Sequence, residues 1–381
     1  MCKLILIWYN KRNNSRYILK GDYFYMPTIN MLSSANKVKA QGVLSAYLEQ
    51  VNLVRTGLED NYDVKINNFK FCDIMHYHTI DLKFFLSIPF VKFWGTSVAY
   101  VHFVPETLDD SLDLPGFIKK ILYKYVIWFY KSVDHLVVVN PYFIKVLEGY
   151  KIKESKITYI PNFVSEENFY NYDQIKIDIT KKEYNIALDK FVVLGVGQVQ
   201  HRKGILDFIE VAKSLPDIQF VWAGGFSFGS ITEGYKELKK VIEDPPLNVK
   251  FIGIIAREHM NDLYNVADLM FLPSYKELFP MAVLEAMALK LPILLRDLDI
   301  YHNILFKYYL KGKNITEFVS VIKGVQDKGV KYMRSSENSS LCHQFYCEEY
   351  VLNLWKEFYD KINCEKDKIK VRSRINAKQN I

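Results

Sequence analysis

Pro273-Ser274-Tyr275-Lys276-Glu277-Leu278-Phe279-Pro280-Met281-Ala282-Val283-Leu284-Glu285-Ala286-Met287-Ala288 is the stretch on which the fold of this 381-residue chain turns. It follows the apolar run Ala267-Asp268-Leu269-Met270-Phe271-Leu272, which predicts a buried strand. A short polar loop carries Glu277. Pro280 then opens a helix, because proline suits a first turn where its missing N–H is not needed. Glu285 falls about one and a half turns inside that helix. A helix N-terminus offers free N–H groups and partial positive charge, which suit a phosphate. Carboxylates beside it can accept hydrogen bonds from hydroxyl groups. The plainer reading is one more strand–helix unit with two solvated glutamates, since Glu is mostly exposed.

The pattern P-S-x-x-E-x-x-P-x-x-x-L-E-A-M-A resembles the E-x7-E signature of the retaining nucleotide-sugar glycosyltransferases of family 4, which have the GT-B fold. The spacing from Glu277 to Glu285 and the flanking Pro273, Ser274, Pro280 and Ala286 carry the likeness. The resemblance implies that Glu277, with the backbone around Leu278, Phe279, Pro280 and Met281, holds the donor sugar and phosphates. It implies that Glu285 holds the nucleotide ribose. The family usually has Gly after the first Glu. Leu278 stands there instead, which leaves the identity of the sugar open.

A second stretch supports the first. Phe191-Val192-Val193-Leu194-Gly195-Val196-Gly197 reads as a strand leading into Gln198-Val199-Gln200-His201-Arg202-Lys203-Gly204, with a helix from Ile205. A glycine turn, basic side chains and a helix N-terminus aimed at one point make a plausible pyrophosphate site. The stretch resembles the family's G-R…K-G motif. Lys203 and Gly204 match it, Gln198 replaces the usual Arg, and Arg202 stands beside the Lys as a substitute. Val249–Gly253 with Ile254 resembles the loop whose backbone frames the nucleobase. These matches name Gly197, Gln198, Arg202, Lys203, Gly253 and Ile254 as donor-binding residues.

The rest of the chain alternates strands and helices in the same α/β manner. Pro27-Thr28-Ile29-Asn30-Met31-Leu32 reads as a first strand. A polar loop with Gly42 and a helix from about Leu44 to Leu58 follow; the loop reads equally as an ordinary connection or as an acceptor-side contact. Asp73-Ile74-Met75-His76-Tyr77-His78-Thr79 resembles the family's D-V-V-H-x-H-T strand. His76 and His78 alternate onto one face, for packing near a cleft rather than as a metal pair. Ser97–Val101 delivers His102, which matches the family's histidine beside the donor sugar, with Glu106 close behind on the acceptor side. His102, Glu277, Arg202 and Lys203 are the catalytic candidates; Gly42, His78, His102 and Glu106 are the acceptor-side ones. Asp297-Leu298-Asp299 has D-x-D form, which belongs to metal-dependent enzymes of another fold and reads as coincidence. No metal or cofactor is expected, the UDP-sugar being the donor substrate.

Composition bounds the partners. The net charge is +7, but residues 1–25 hold five Lys/Arg against one acid and residues 364–381 six against two. The excess sits at the ends, so nucleic-acid binding by the fold is poorly supported. The ends can add attraction to anionic lipid. Five cysteines without C-x-x-C spacing suit a reducing cytoplasm. Phe117 to Lys131 predicts an amphipathic helix. Ile118, Ile121, Leu122, Tyr125 and Phe129 keep helical spacing, with Lys120, Lys124 and Lys131 on another side. It reads either as a core helix with solvated lysines or as a membrane-surface helix.

The expected architecture is GT-B: two Rossmann-like domains facing across a cleft. Residues 26–165 form the acceptor side, with a C-terminal helix over 350–363 crossing back to it, and 166–349 hold the nucleotide-sugar. Residues 1–25 read as an extension outside the fold ahead of a functional start at Met26, or as a short membrane anchor. Residues 364–381 read as a basic tail. Val101–Leu108 and Leu294–Asp299 resemble a bacterial branch that glycosylates diacylglycerol or glucosyl-diacylglycerol. The resemblance implies hexose transfer from UDP-glucose or UDP-galactose to such a lipid, peripherally at the inner face of the cell membrane. A capsule, teichoic or protein-linked glycan acceptor, or a non-catalytic GT-B binding subunit, are the alternatives.

Overall fold

The computed structural model describes residues 7–10, 15–20, 23–34, 42–68, 70, 72–105, 115–226, 229, 232, 234–277 and 279–379. Glu106 and Leu278 lie outside them. Strands β1 (Ile7–Asn10), β2 (Ser15–Lys20) and β3 (Tyr23–Tyr25) form an antiparallel sheet of their own. The segment read as lying outside the fold therefore carries strands, in keeping with its aromatic and β-branched residues. Among the described residues it shares no strand pairing with the larger sheets, and the Tyr25 hydroxyl donates to Asp73.

The first half is a parallel six-stranded sheet in the order β5-β4-β6-β7-β8-β9. Its strands are β4 (Thr28–Leu32), β5 (Asp63–Ile66), β6 (Ile74–Tyr77), β7 (Thr96–Val101), β8 (His135–Val138) and β9 (Ile157–Tyr159). Helices α1 (Gly42–Gly57), α2 (Leu82–Trp94), α3 (Gly116–Ser132) and α4 (Tyr142–Gly149) connect them. The second half has the order β12-β11-β10-β13-β14-β15, again all parallel. Its strands are β10 (Val192–Val196), β11 (Gln219–Ala223), β12 (Val249–Gly253), β13 (Leu269–Leu272), β14 (Ile293–Arg296) and β15 (Leu310–Gly312). Its helices are α5 (Gln174–Glu183), α6 (Ile205–Lys213), α7 (Tyr235–Glu243), α8 (Met260–Val266), α9 (Met281–Ala288), α10 (Asp299–His302), α11 (Ile315–Lys323) and α12 (Val330–His343). β10, β13 and β14 are almost wholly buried and apolar, as strands covered on both faces must be.

Each sheet reverses its strand order once, between β4 and β6 in the first and between β10 and β13 in the second. Parallel sheets bind ligands outside the strand C-termini at such reversals. The loops after β10 and β13 are the two stretches that the sequence singled out.

Three elements differ from the expected pattern. Pro280 is the N-cap of α9 rather than its first helical residue. β15 is an edge strand beside β14 that the sequence reading did not include. The C-terminal helix α13 runs over Glu348–Gln379, so the segment read as a tail continues it; residues 364–379 hold neither Gly nor Pro to stop it. α13 returns to the first half. Tyr62 donates to Asp360 at 2.7 Å, and the Tyr359 hydroxyl lies 2.8 Å from His76 Nδ1. Trp355 is buried against His76 and Tyr100, its ring centroid 5.3 and 5.6 Å from theirs. Trp355→Ala leaves a large cavity there and should cost about 3–5 kcal/mol in chemical denaturation. A loss under about 1 kcal/mol would mean that the helix contributes little to the first half.

Candidate active site

The donor-side loops are locked before any ligand is considered. After β10, Gly197 N–H donates to the Ala223 carbonyl at 2.9 Å, and Trp222 Nε1 donates back to the Gly197 carbonyl at 3.0 Å. Gly224 N–H donates to the Gly253 carbonyl at 2.7 Å. The ends of β10, β11 and β12 are thus zipped together. A side chain on Gly224 would run into the Gly197 carbonyl, and Gly224 has φ +143°. Gly253 ends β12 with φ +76°, and Ile254 beyond it is half exposed. Gln198 is half-buried in the same loop cluster.

Lys203 and Glu277 meet as a buried ion pair across the strand reversal. Gly204, in the left-handed region at φ +74°, packs against the Pro273 carbonyl, where a Cβ would collide. Tyr275 N–H donates to the Arg202 carbonyl at 2.7 Å, and Arg202 Nη1 to the Lys276 carbonyl at 3.3 Å. The two loops are stitched to each other on both sides of the pair. Burial pushes the Glu277 carboxyl up, but Lys203 and Arg202 outweigh it and hold it below its usual value. Glu277 is therefore ionised at neutral pH. Beside it, Arg202 Nε, the Gln200 amide and the Tyr301 hydroxyl are buried without a hydrogen-bond partner. Such groups suit a polar ligand.

Arg296, at the end of β14, braces the loop from below. Its Nε donates to the Pro273 carbonyl at 3.0 Å and its Nη1 to the Lys313 carbonyl at 2.8 Å. Nη2 pairs with Asp207, and the guanidinium lies 4.0 Å over the Tyr275 ring. Sequence reasoning missed this residue; a charged side chain ending an apolar strand was the available signal.

Glu285 points from α9 toward α8. One oxygen accepts from the Tyr264 hydroxyl at 2.6 Å, the other from Arg257 Nη1 at 3.0 Å. Arg257 also pairs with Glu49 of α1. Neither Arg257 nor Tyr264 was foreseen. Phe279 is buried 5.1 Å from the Tyr346 ring, and Met281 is the buried first residue of α9.

On the first half, His76, His78 and His102 are buried in a row at the C-terminal ends of β6 and β7. His76 and His78 stand 4.3 Å apart, His78 and His102 6.1 Å, and His102 sits edge-on to Tyr100 at 4.5 Å. Burial pulls the His102 imidazole down to about 3, and burial with the neighbouring His102 does the same to His76. His78 is lowered in the same direction. All three are neutral at neutral pH, and His102 Nε2 has no partner. Among the described residues no group of three or more His, Cys, Asp and Glu is arranged to hold a metal ion. Gly42 is the first residue of α1. Asp297 of the D-x-D stretch is paired with Lys311 at 3.0 Å and His302 at 3.2 Å.

Residues 176–338 match the family described as glycosyl transferases group 1. A Streptococcus pneumoniae protein named alpha-galactosylglucosyldiacylglycerol synthase is 44% identical over 333 residues, 87% of this chain and 89% of that one. The processive diacylglycerol alpha-glucosyltransferase of Acholeplasma laidlawii is 32% identical over 230 residues, 60% of this chain and 68% of that one. Among solved structures, Anabaena Alr3699/HepE with UDP and glucose superposes with a TM-score of 0.69 at 16% identity, covering 88% of this chain and all of that one. Sucrose-phosphate synthase of Thermosynechococcus elongatus gives 0.70 at 14% identity, over 89% of this chain and all of that one. These two likenesses establish the GT-B fold.

Lys203→Met strands the Glu277 carboxylate in a buried site. The variant should lose about 3–5 kcal/mol in denaturant unfolding, and the double replacement Lys203→Met with Glu277→Leu should recover most of it. Equal losses in the single and double variants would mean that the ion pair is not what the loops are built around.

Proposed function

The chain belongs to the group 1 glycosyltransferases of GT-B fold, and on that premise we propose that it moves a hexose from a UDP-sugar to a diacylglycerol-type lipid, with retention. The observation that carries the reading is the Lys203–Glu277 pair at the strand reversal, with Arg202 and the α9 N-terminus beside it. Lys203 and Arg202 face the diphosphate, and Glu277 accepts hydrogen bonds from sugar hydroxyls. Gly197, Gln198, Phe279, Pro280 and Met281 border the sugar and phosphates. Gly253 and Ile254 frame the base. Glu285 accepts from ribose hydroxyls with its remaining lone pairs.

The acceptor hydroxyl approaches the sugar C1 from the side of the leaving group. The C1–O bond to the β-phosphate breaks as the bond to the acceptor oxygen forms. The acceptor proton passes to the departing phosphate oxygen, which leaves as UDP. Arg202 and Lys203 stabilise the charge growing on that oxygen, so the transfer should persist in EDTA. Neutral His102 orients the reacting hydroxyls on the acceptor side, together with Gly42 and His78. The name of the pneumococcal relative supports galactose as the sugar moved and glucosyl-diacylglycerol as the acceptor.

A lipid acceptor requires a membrane face. Among the described residues no helix is long and apolar enough to cross a membrane. Instead Leu82, Leu86, Phe90 and Phe93 of α2 are each more than half exposed along one helix face. Phe117, Ile121 and Trp128 of α3 are exposed beside them, with the Phe85 and Trp128 rings 4.5 Å apart. The buried residues of α3 are instead Val126, Ile127, Phe129 and Tyr130, so Ile118 and Ile121, read as part of one apolar stripe with Phe129, turn outward. A groove of about 650 Å³ along α3 is lined by Lys119, Lys120, Lys124 and Lys131. Exposed aromatics among lysines suit an anionic membrane surface, here the cytoplasmic leaflet, where UDP-sugars are available.

UDP release from UDP-galactose and UDP-glucose should require vesicles bearing glucosyl-diacylglycerol or diacylglycerol, and Glu277→Gln should lower kcat/KM about 10²–10³-fold. Release with a soluble glycan alone would move the acceptor away from lipid. UDP binding without release under any condition would favour a binding subunit. Phe93→Ser with Trp128→Ser should weaken vesicle co-sedimentation about tenfold or more while UDP affinity stays unchanged. Equal co-sedimentation of variant and wild type would rule this face out.

A further inference from the structure

Arg257 joins the two halves through the carboxylate proposed to hold the ribose. It lies just past β12, in the turn that leads into α8. Its Nη1 donates to Glu285 Oε1 at 3.0 Å and its Nη2 to Glu49 Oε1. Glu285 belongs to α9 of the second half and Glu49 to α1 of the first. Both carboxylates are buried, with side-chain exposures of 6% and 7%. The guanidinium is itself seated 5.5 Å over the Phe169 ring.

This is not an ordinary surface ion pair, which contributes little and is screened by salt. A guanidinium does not give up its proton and is rigid and planar. Two of its nitrogens bind two carboxylates from different halves, so the position of one carboxylate constrains the other. Glu285 has one further tie, the Tyr264 hydroxyl at 2.6 Å on its second oxygen. Each oxygen then keeps a lone-pair site for a ribose hydroxyl. A shift of α1 relative to the second half would pull Arg257 with Glu49 or break that contact. Either change alters the charge and orientation that Glu285 presents.

We propose that Glu49 and Arg257 are positioning residues for the nucleotide, and that the Glu49–Arg257–Glu285 bridge couples ribose binding to the contact between the halves. The proposal rests on the reading of Glu285 as the ribose carboxylate. Linkage makes the coupling reciprocal: whatever the Glu49 contact adds to nucleotide affinity, bound nucleotide adds to the joining of the halves. Glu49 acts through Arg257 without touching the nucleotide.

The experiment measures binding of UDP and of 2′-deoxy-UDP to the full chain by calorimetry. The proteins are wild type, Glu49→Gln, Arg257→Lys, Glu285→Gln and the double variant Glu49→Gln with Glu285→Gln. Wild type should prefer UDP, and Glu285→Gln should abolish that preference. Glu49→Gln should weaken UDP about 5- to 10-fold and shrink the preference. Arg257→Lys keeps the charge but loses the fork, and should do the same. In the Glu285→Gln background, Glu49→Gln should add no further loss. In turnover, Glu49→Gln should raise the donor KM with little change in kcat. If Glu285→Gln abolishes the preference while Glu49→Gln and Arg257→Lys lower only the melting temperature, the ribose reading stands and the coupling is overturned. If Glu285→Gln keeps the preference, the ribose reading fails and takes the coupling with it.

Discussion

The buried pair of Lys203 and Glu277 sets the terms for the donor half. Taking two charges out of water costs several kcal/mol per ion, and their attraction offsets this only when the geometry is held. The holding is done by backbone. Gly204 lies against the Pro273 carbonyl, and the Tyr275 amide reaches the Arg202 carbonyl. Arg296 braces the same loop through the Pro273 carbonyl and the Tyr275 ring. Remove any of these and the two ions no longer have a fixed meeting point. The loops after β10 and β13 thereby become one rigid platform at the strand reversal, where a parallel sheet presents its strand ends to a ligand.

The neighbouring loops follow from the same need for close backbone approach. Gly224 comes against the Gly197 carbonyl so tightly that a side chain would collide, and its own N–H is spent on Gly253. With these groups satisfied internally, polar side-chain atoms of Gln200, Arg202, Ser274 and Tyr301 are among those left without a partner. The platform is held in its backbone and keeps unpartnered polar atoms buried within it. On the proposed reading, that combination would preorganise the site for a developing negative charge.

Much of this was legible in the sequence because it depends on local signals. The apolar run before Pro273, the carboxylates eight residues apart and the Gly-x-Gly followed by Arg-Lys-Gly each fix a strand, a turn or a helix start. What stayed hidden depends on contacts distant in sequence. Arg257 looks like any basic residue in a strand-to-helix turn, and nothing near it points to Glu49, 208 positions away. Arg296 closes an apolar strand and gives no hint of its three hydrogen-bond partners or of the ring beneath it. α2 was missed for another reason. Pro89 sits inside it and apolar residues lie on all sides, so neither helical periodicity nor an uninterrupted run marks it. The outward turn of Ile121 in α3 was hidden likewise, since an apolar stripe looks the same whether it faces a core or a bilayer. The helical reach of residues 364–379 needed only the absence of a stop signal, which a focus on their charge obscured.

The division of labour explains why charges rather than apolar surface join the halves beside the nucleotide. On the proposed reading the first half is tied to a membrane by α2 and α3, and the second carries a water-soluble nucleotide. The lipid acceptor cannot leave the bilayer, so the second half must approach the first and withdraw again as UDP is exchanged. A large apolar interface would oppose withdrawal in proportion to its area. An ion pair behaves differently, because water repays much of the lost attraction when the partners separate. Arg257 between Glu49 and Glu285, and Asn140 donating to the Ile300 carbonyl at 3.3 Å, are contacts of this reversible kind. Apolar attachment comes from α13, where Trp355 and Tyr359 pack on the first half, with Ile300 against the first-half core as well. On that reading α13 stays attached while the charged contacts break and re-form. Those contacts lie at the carboxylate proposed to bind the nucleotide, so on the proposed coupling the occupancy of the donor site and the approach of the two halves depend on the same few charges.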